Sequence, residues 1–224
     1  MSRKFDGVAF DLDGTLYPNY RFYLPLIPFI VKEHRLLFAL GKARTILRGG
    51  PFQSGDSDTF YDKQARIMGT LLRADPGWVK QKTEDLIYRG WEPLFKRIRL
   101  YPELRETLEA IRGAGLKLGL LSDFPPETKL ENLGLGGYWD AVLCSEQIGA
   151  LKPAPAPFRA LTARLGIPED RLLYVGNSVK YDIMGAKNAG IWAALIAPWF
   201  RKGRVGNADF IFSRYSALRE YIKV

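Results

Sequence analysis

The hydrophobic and polar positions of this chain follow two different rhythms. Beyond residue 100, short apolar runs alternate with amphipathic stretches of helical spacing, and glycines mark many of the changes. This alternation is typical of βαβ units, whose strands pair in parallel. We predict strands at 8–10, 116–121, 141–144, 172–175, 192–196 and 209–212. We predict helices at 102–114, 125–133, 155–165, 181–189 and 215–222.

Residues 17–99 carry helical periodicity but no strand pattern of any strength. Helices are predicted at 28–47, 57–72 and 78–88, separated by Gly49-Gly50-Pro51 and Asp75-Pro76-Gly77. We therefore expect residues 1–16 and 100–224 to form a three-layer, Rossmann-like α/β domain, and 17–99 to form an inserted all-α domain. Ligands of open parallel sheets bind at the carboxyl ends of the strands. An insert that begins after the first strand would lie over that site, and residues 17–21 either line it or pack the hinge.

The most apolar stretch, 22–31, is interrupted by Pro25 and Pro28 and is too short to cross a bilayer. Its aromatic residues and leucines, together with those up to Leu40, are expected to form the core of the insert. The amino terminus lacks the pattern of a signal peptide, and the single cysteine, Cys144, suits a reducing compartment. We expect a cytoplasmic protein without a transmembrane segment. The pattern specifies no oligomeric state.

Charge is unevenly distributed along the chain. The formal net charge is +9, and residues 17–99 contribute +7 of it, with fifteen Lys or Arg and eight Asp or Glu. A basic surface attracts anionic partners such as phosphorylated metabolites, nucleic acid or acidic lipid. The alternative is that these charges form the solvated outer surface of the helices.

Polar side chains follow the predicted strands. Asp11 and Asp13 come directly after the first strand, and two carboxylates so close repel each other unless a cation or proton compensates. Gly14 permits the sharp turn that lets them converge. Such a pair suits one carboxylate as nucleophile and metal ligand, and the other as acid and base. The later strands are followed by Ser122, by Lys152 and by the pair Asn177 and Asp182.

The segment Asp11-Leu12-Asp13-Gly14-Thr15 resembles the first motif, Asp-x-Asp-x-Thr, of the haloacid dehalogenase superfamily of phosphohydrolases. The segments around Ser122, Lys152 and Asn177-to-Asp182 resemble its other three motifs, in the same order. The resemblance implies that Asp11 forms an aspartyl-phosphate and that Asp13 protonates the leaving group, then activates water. It implies that Thr15 and Ser122 bind the phosphoryl group, and that Lys152 binds it and balances its charge.

The resemblance also implies a Mg²⁺ site formed by Asp11, Asp13 through its main-chain carbonyl, Asn177 and Asp182. Asn177 stands where the family has an acid, so the site carries one negative charge fewer. Asp123, which we also predict to bind substrate, follows the serine of the second motif, where an asparagine is common in the family. A carboxylate there is unfavourable beside a phosphate unless it turns away or pairs with a cation.

Asp13 distinguishes two activities within this family. Dehalogenating members lack an acid at this position because a halide leaves without a proton, so the chain is predicted to hydrolyse a small phosphorylated metabolite.

The insert has the position of a C1-type cap. A phosphomutase or a phosphonate-cleaving enzyme remains an alternative. Another is a basic module that binds nucleic acid or acidic lipid and retains a weakened site. It is less favoured, because Asp11, Asp13, Ser122 and Lys152 have no obvious use in it, and nucleic acid is not expected as a partner.

Overall fold

The computed structural model describes residues 4–50, 58–198 and 207–224. Its centre is a six-stranded sheet in the order β3-β2-β1-β4-β5-β6, and every neighbouring pair is parallel. The strands are β1 (Gly7–Phe10), β2 (Lys117–Ser122), β3 (Ala141–Cys144), β4 (Leu172–Gly176), β5 (Trp192–Ile196) and β6 (Phe210–Phe212). The predicted fold class, a parallel α/β sheet with an inserted helical region, is confirmed.

Ten α-helices accompany the sheet in the described part of the chain. Between β1 and β2 lie α1 (Asn19–Lys32), α2 (His34–Gly49), α3 (Phe60–Leu72), α4 (Pro76–Thr83) and α5 (Leu104–Gly113). The later helices are α6 (Glu127–Asn132), α7 (Ser145–Ile148), α8 (Pro155–Leu165), α9 (Met184–Asn188) and α10 (Tyr215–Ile222). The predicted start of a helix at residue 57 lies outside the described residues.

The strand interiors are mainly apolar because both faces of the sheet are covered. In β1, Val8 and Phe10 pack into one hydrophobic cluster, whereas Ala9 packs into a second cluster on the opposite face. Helices α5 and α10 contribute to the first cluster, and α8 and α9 contribute to the second. The result is the three-layer arrangement that the sequence predicts, with the carboxyl ends of β1, β2 and β4 side by side.

Helix α1 corrects the prediction of a single helix at 28–47. It begins at Asn19 and contains both Pro25 and Pro28, and the break falls instead at Glu33. Proline removes one backbone hydrogen bond in a helix interior, but both prolines are exposed, so water can reach the freed carbonyls. Burial of Phe22 and Leu26 holds the helix against the core.

The helices at 78–88 and 181–189 are also more irregular than predicted. Helix α4 ends at Thr83, and the π-helical turn Glu84–Tyr88 follows it directly. A second π-helical turn, Val179–Ile183, precedes α9. Such turns shift the side chains that follow them relative to a regular helix and are frequent at functional sites.

The predicted core of the insert is only partly right. Leu36 and Leu40 pack against α3 and α4, but Phe22 and Leu26 join the cluster beside the sheet. Other apolar side chains of this region are exposed: Tyr23, Leu24, Ile27, Val31 and Phe38. Periodicity shows which residues share a face, but it does not show which faces find a partner.

The two connections between the helical insert and the sheet run side by side. The backbone N–H of Tyr101 donates to the carbonyl of Leu16 at 3.0 Å. The Arg21 guanidinium donates to the carbonyls of Arg99 and Leu100. These bonds fix where the insert begins relative to the sheet edge. No helix in the described ranges combines the length and apolar character needed to span a membrane.

Candidate active site

A tight turn at the end of β1 positions the first two carboxylates. The Asp11 backbone N–H donates to Val175 of β4 at 2.9 Å, so Asp11 still belongs to the sheet edge. Gly14 then adopts a φ of +88°, a conformation that side chains rarely allow. The turn brings Thr15 back toward Asp11, and the Thr15 hydroxyl donates to Asp11 Oδ2 at 2.8 Å. The role predicted for Gly14 in this turn is confirmed.

Lys152 joins residues from the ends of β1 and β4 and from the segments that follow them. Its Nζ lies 2.7 Å from Asp11 Oδ1 and 2.7 Å from Asp182 Oδ1. It also donates to the Tyr174 hydroxyl at 3.2 Å. The lysine and both carboxylates are buried, so the structure brings together Asp11, Lys152 and Asp182, which lie far apart in the sequence.

Burial and charge act in opposite directions on these groups. Burial raises the pKa of Asp11 to about 7, although the Lys152 ammonium works against that shift and the Asp182 carboxylate adds to it. Burial alone would lower the pKa of Lys152, but Asp11 and Asp182 outweigh it and hold that pKa well above its ordinary value. The site therefore keeps a buried ammonium between two carboxylates and has negative charge that one lysine does not fully compensate.

The Asp13 side chain has a different environment. Its carboxylate accepts hydrogen bonds from the Tyr17 hydroxyl and from Lys129 Nζ, the latter at 2.9 Å. A third of the Asp13 side chain is exposed, whereas Asp11 is nearly enclosed. Sequence reasoning missed Lys129, because a lysine within a short helix has no local signal that separates it from a solvated one.

Ser122 and Asp123 occupy the end of β2. The Ser122 side chain is buried, and its Oγ accepts a hydrogen bond from the backbone N–H of Phe124 at 3.2 Å. Asp123 accepts from Arg48 at 2.7 Å and from the backbone N–H of Lys152 at 3.1 Å. Burial alone would raise the pKa of Asp123, but Lys152, Arg44 and Arg48 outweigh it and lower that pKa. The carboxylate is thus paired with cations, one of the two conditions that the sequence required.

The loop after β4 and the π-helical turn that follows it carry Asn177 and Asp182. Asp182 Oδ2 accepts backbone hydrogen bonds from Asn177 at 3.2 Å and Ser178 at 2.9 Å. The Asn177 side chain lies directly against Gly14, where even one added methyl group would collide with its amide nitrogen. Asn177 therefore lies beside the first motif, although its carboxamide carries no charge.

The donor chemistry fits a hard divalent cation. Asp11, Asp13, Asn177 and Asp182 all offer oxygen atoms, the ligands that Mg²⁺ prefers. In the described ranges, no three His, Cys, Asp or Glu side chains converge as a metal-binding cluster, and the Asp13 carboxylate contacts Tyr17 and Lys129 instead. The site thus suits a cation bound by the carboxylates of Asp11 and Asp182 and by neutral oxygens of Asn177 and of the Asp13 main chain. Such a cation would offset the excess negative charge around Asp11.

Comparison with known proteins identifies the family. The family model of the haloacid dehalogenase-like hydrolases matches residues 5–190. This chain belongs to that family. It is 31% identical over 199 residues to a phosphoglycolate phosphatase of Haemophilus influenzae (strain 86-028NP), covering 85% of this chain and 84% of the relative. The family predicted from the four motifs is confirmed.

Solved structures resemble this haloacid dehalogenase-like hydrolase over nearly its whole length. A HAD phosphatase from Thermococcus onnurineus superposes with a TM-score of 0.69 at 25% identity, covering 97% of each chain. A 2-haloacid dehalogenase from Pseudomonas syringae pv. Tomato DC3000 gives 0.65 at 24% identity, covering 98% of each chain. The second likeness concerns the fold alone, because one fold supports several activities.

The insert of this haloacid dehalogenase-like hydrolase contacts the sheet domain through a buried ionic network. Arg44 of α2 pairs with Glu146 of α7, which also accepts a hydrogen bond from Tyr88 at 3.1 Å. Arg44 reaches Asp123 at 3.6 Å and stacks over the Phe124 ring at 4.0 Å. Burial raises the pKa of Glu146, even though Arg44 works against that shift. The docking of the insert on the sheet domain therefore depends on a compensated buried charge.

Removal of Arg44 is expected to destabilise the protein. The Arg44→Met variant leaves Glu146 buried without its cation, and we expect the free energy of unfolding to fall by about 3 kcal/mol. Urea unfolding followed by circular dichroism measures this. As a matched control, Arg89→Met removes an exposed pair with Glu84, and its expected cost is below about 1 kcal/mol. Equal effects of the two substitutions would contradict the structural role of Arg44.

Proposed function

We propose that this chain is a Mg²⁺-dependent phosphatase that hydrolyses a small phosphate monoester through Asp11. The observation that carries the proposal is the buried bridge of Lys152 between Asp11 and Asp182, beside the turn that holds Asp13. Phosphoryl transfer depends mainly on positioning and charge neutralisation, and this arrangement supplies both. The phosphoglycolate phosphatase that the chain resembles supports a phosphate ester as the substrate.

In the proposed reaction, an Asp11 carboxylate oxygen bonds to phosphorus while the bond from phosphorus to the ester oxygen breaks. Asp13 gives its proton to that oxygen, and the alcohol leaves. Asp13 then takes a proton from water, whose oxygen attacks phosphorus and releases phosphate from Asp11. Thr15 holds the Asp11 carboxylate in place, and Lys129 and Tyr17 orient Asp13.

The remaining groups bind and balance charge. Lys152 neutralises the phosphoryl oxygens, and the Ser122 hydroxyl donates to one of them. Asp123 acts in this proposal by holding Arg48 and the Lys152 backbone, rather than by contacting the phosphate itself.

Asp11, Asp13 through its carbonyl, Asn177 and Asp182 would hold Mg²⁺, which when bound supplies positive charge to the phosphoryl oxygens. The ion would also offset the mutual repulsion of Asp11 and Asp182, and this mixed oxygen set is the proposed cation site.

Phosphate release from a panel of phosphate monoesters tests this function. With Mg²⁺, we expect release of inorganic phosphate from at least one ester of a panel that includes 2-phosphoglycolate. Chelation with EDTA is expected to lower the rate at least about tenfold, and excess Mg²⁺ to restore it. A rate that EDTA leaves unchanged would contradict the metal dependence. Absence of release from every ester would contradict the phosphatase function.

A further inference from the structure

A cavity of about 580 Å³ lies between the helical insert and the segment after β2. Helices α3 and α4 and the π-helical turn after α4 form its insert side, and Phe124, Pro125 and Lys129 form its other side. This volume lies within the usual range for pockets that bind small molecules, about 300 to 1,000 Å³. Neither Lys152 nor its partners Asp11, Tyr174 and Asp182 line the cavity, so the cavity is separate from the Lys152 bridge.

Lys129 connects this cavity with the candidate active site. It lines the cavity, and its ammonium contacts the Asp13 carboxylate at 2.9 Å. The inference rests on the proposed function, in which Asp13 protonates the oxygen of the departing alcohol. The alcohol portion of the substrate therefore lies on the Asp13 side of the phosphorus, next to the cavity wall.

The cavity lining is rich in aromatic and aliphatic side chains. Its large apolar members are Tyr61, Met68, Ile87, Tyr88, Trp91 and Phe124. Tyr88 makes ring contacts with Tyr61 at 5.6 Å and with Phe124 at 5.8 Å between centroids. This aromatic and aliphatic part of the lining gains free energy from an apolar or flat occupant.

Three polar atoms of the lining residues are buried without a hydrogen-bond partner. They are Gln64 Oε1, Thr83 Oγ1 and Trp91 Nε1. Gln64 and Thr83 are each only 3% exposed. Leaving such a group unpaired costs about 1–3 kcal/mol, so three around one cavity are unusual. They belong to residues of the cavity wall but are covered by neighbouring atoms, so a ligand with both acceptors and donors pairs with them only after these side chains turn toward the cavity.

We propose that the cavity holds the alcohol portion of the substrate, and that this alcohol carries a flat ring with hydrogen-bonding heteroatoms. The ring fills the apolar space, and the side chains of Gln64, Thr83 and Trp91 turn toward its heteroatoms and pair with them. A two-carbon alcohol such as glycolate would leave most of the cavity empty and all three polar atoms unpaired. The cavity thus assigns this enzyme to larger substrates than 2-phosphoglycolate.

Steady-state kinetics with four phosphate esters tests the substrate class. Uridine 5′-monophosphate and pyridoxal 5′-phosphate carry a ring with heteroatoms, phenyl phosphate carries a plain ring, and 2-phosphoglycolate carries none. We expect at least one of the two heteroatom-bearing esters to exceed 2-phosphoglycolate in kcat/KM by at least about tenfold. Phenyl phosphate is expected to fall between them, because it fills space without forming the hydrogen bonds.

Two variants test the cavity itself. Ala65→Leu adds volume inside it, and we expect the ratio of kcat/KM for the preferred ring ester to that for 2-phosphoglycolate to fall at least about tenfold. Thr83→Val keeps the shape but removes the hydroxyl, and should lower kcat/KM for that ester about threefold to tenfold, with little effect on phenyl phosphate. Thr70→Val is the matched control, since Thr70 is exposed and lies outside the lining. Thermal unfolding verifies that each variant is folded.

The possible results separate this inference from the proposed function. If 2-phosphoglycolate is hydrolysed at least as efficiently as both heteroatom-bearing esters, and Ala65→Leu leaves the ratio unchanged, the phosphatase stands and the inference is wrong. If no ester is hydrolysed, the proposed function fails. Isothermal titration calorimetry with uridine and pyridoxine then tests whether the cavity binds a ring with heteroatoms. Binding weakened by Ala65→Leu and Thr83→Val, but not by Thr70→Val, supports the inference. Undetectable binding of both alcohols overturns it.

Discussion

The Asp11→Asn variant is expected to lose phosphatase activity, with kcat at least about 10⁴-fold below that of the unmodified protein. An amide oxygen is too weak a nucleophile to form the covalent intermediate, although it can still accept the hydrogen bond from Thr15. Phosphate release under saturating substrate and Mg²⁺ measures the effect. A phosphoryl group found by mass spectrometry on the peptide that contains Asp11, after rapid quenching of turnover, would identify the nucleophile independently.

Asp6→Asn provides the matched control for this substitution. Asp6 pairs with Arg171 on the surface at 2.7 Å, so the same chemical change is made outside the site. Its activity is expected to remain within about twofold of the unmodified protein. If Asp11→Asn kept its activity within tenfold, another group would be the nucleophile, and the proposed mechanism would be wrong.

The Lys152→Met variant is expected to lose both activity and stability. Methionine approximates the length of lysine but leaves the buried Asp11 and Asp182 carboxylates facing each other without a cation. We expect the free energy of unfolding to fall by about 5 kcal/mol, toward the upper end for a broken buried ion pair, because two carboxylates lose their partner. Urea unfolding monitored by circular dichroism measures the loss.

A double variant and a surface control isolate the cause. In Asp11→Asn/Lys152→Met one carboxylate is neutral, so we expect the lysine substitution to cost less than it does alone. Lys82→Met, which removes a partly exposed pair with Glu33, should cost less than about 1 kcal/mol. Additive effects in the double variant would show that Asp11 and Lys152 are not energetically coupled.

Local patterns in the sequence were sufficient for much of the sheet and of the site. Strands such as Ala141–Cys144 and Trp192–Ile196 have the bounds that were predicted, because apolar runs between turn residues are read directly. Asp11, Ser122 and Lys152 could be expected near one edge of the sheet, because they follow predicted strands and parallel strands bring their carboxyl ends together. Each of these inferences depends on neighbours within a few residues, together with one general rule of topology.

Contacts between segments that are distant in the sequence could not be predicted from local patterns. Lys129 meets Asp13 across 116 residues of sequence, and Arg44 meets Glu146 across 102. Both cations lie on helices, where a charged residue is usually solvated, and only the docking of the helices decides otherwise. The same holds for α1, which continues through its prolines because tertiary packing outweighs the weak helix propensity of Pro25 and Pro28.

The sequence by itself determined the fold class, the family and the polar groups at the strand ends, since these follow from periodicity and from short motifs. The tertiary structure alone decided that Lys152 bridges Asp11 and Asp182, that Asp123 pairs with cations, and that a cavity adjoins Lys129, the partner of Asp13. The physical reason is that burial and charge compensation depend on which surfaces meet. Residue spacing specifies a surface, but only packing in three dimensions selects its partner.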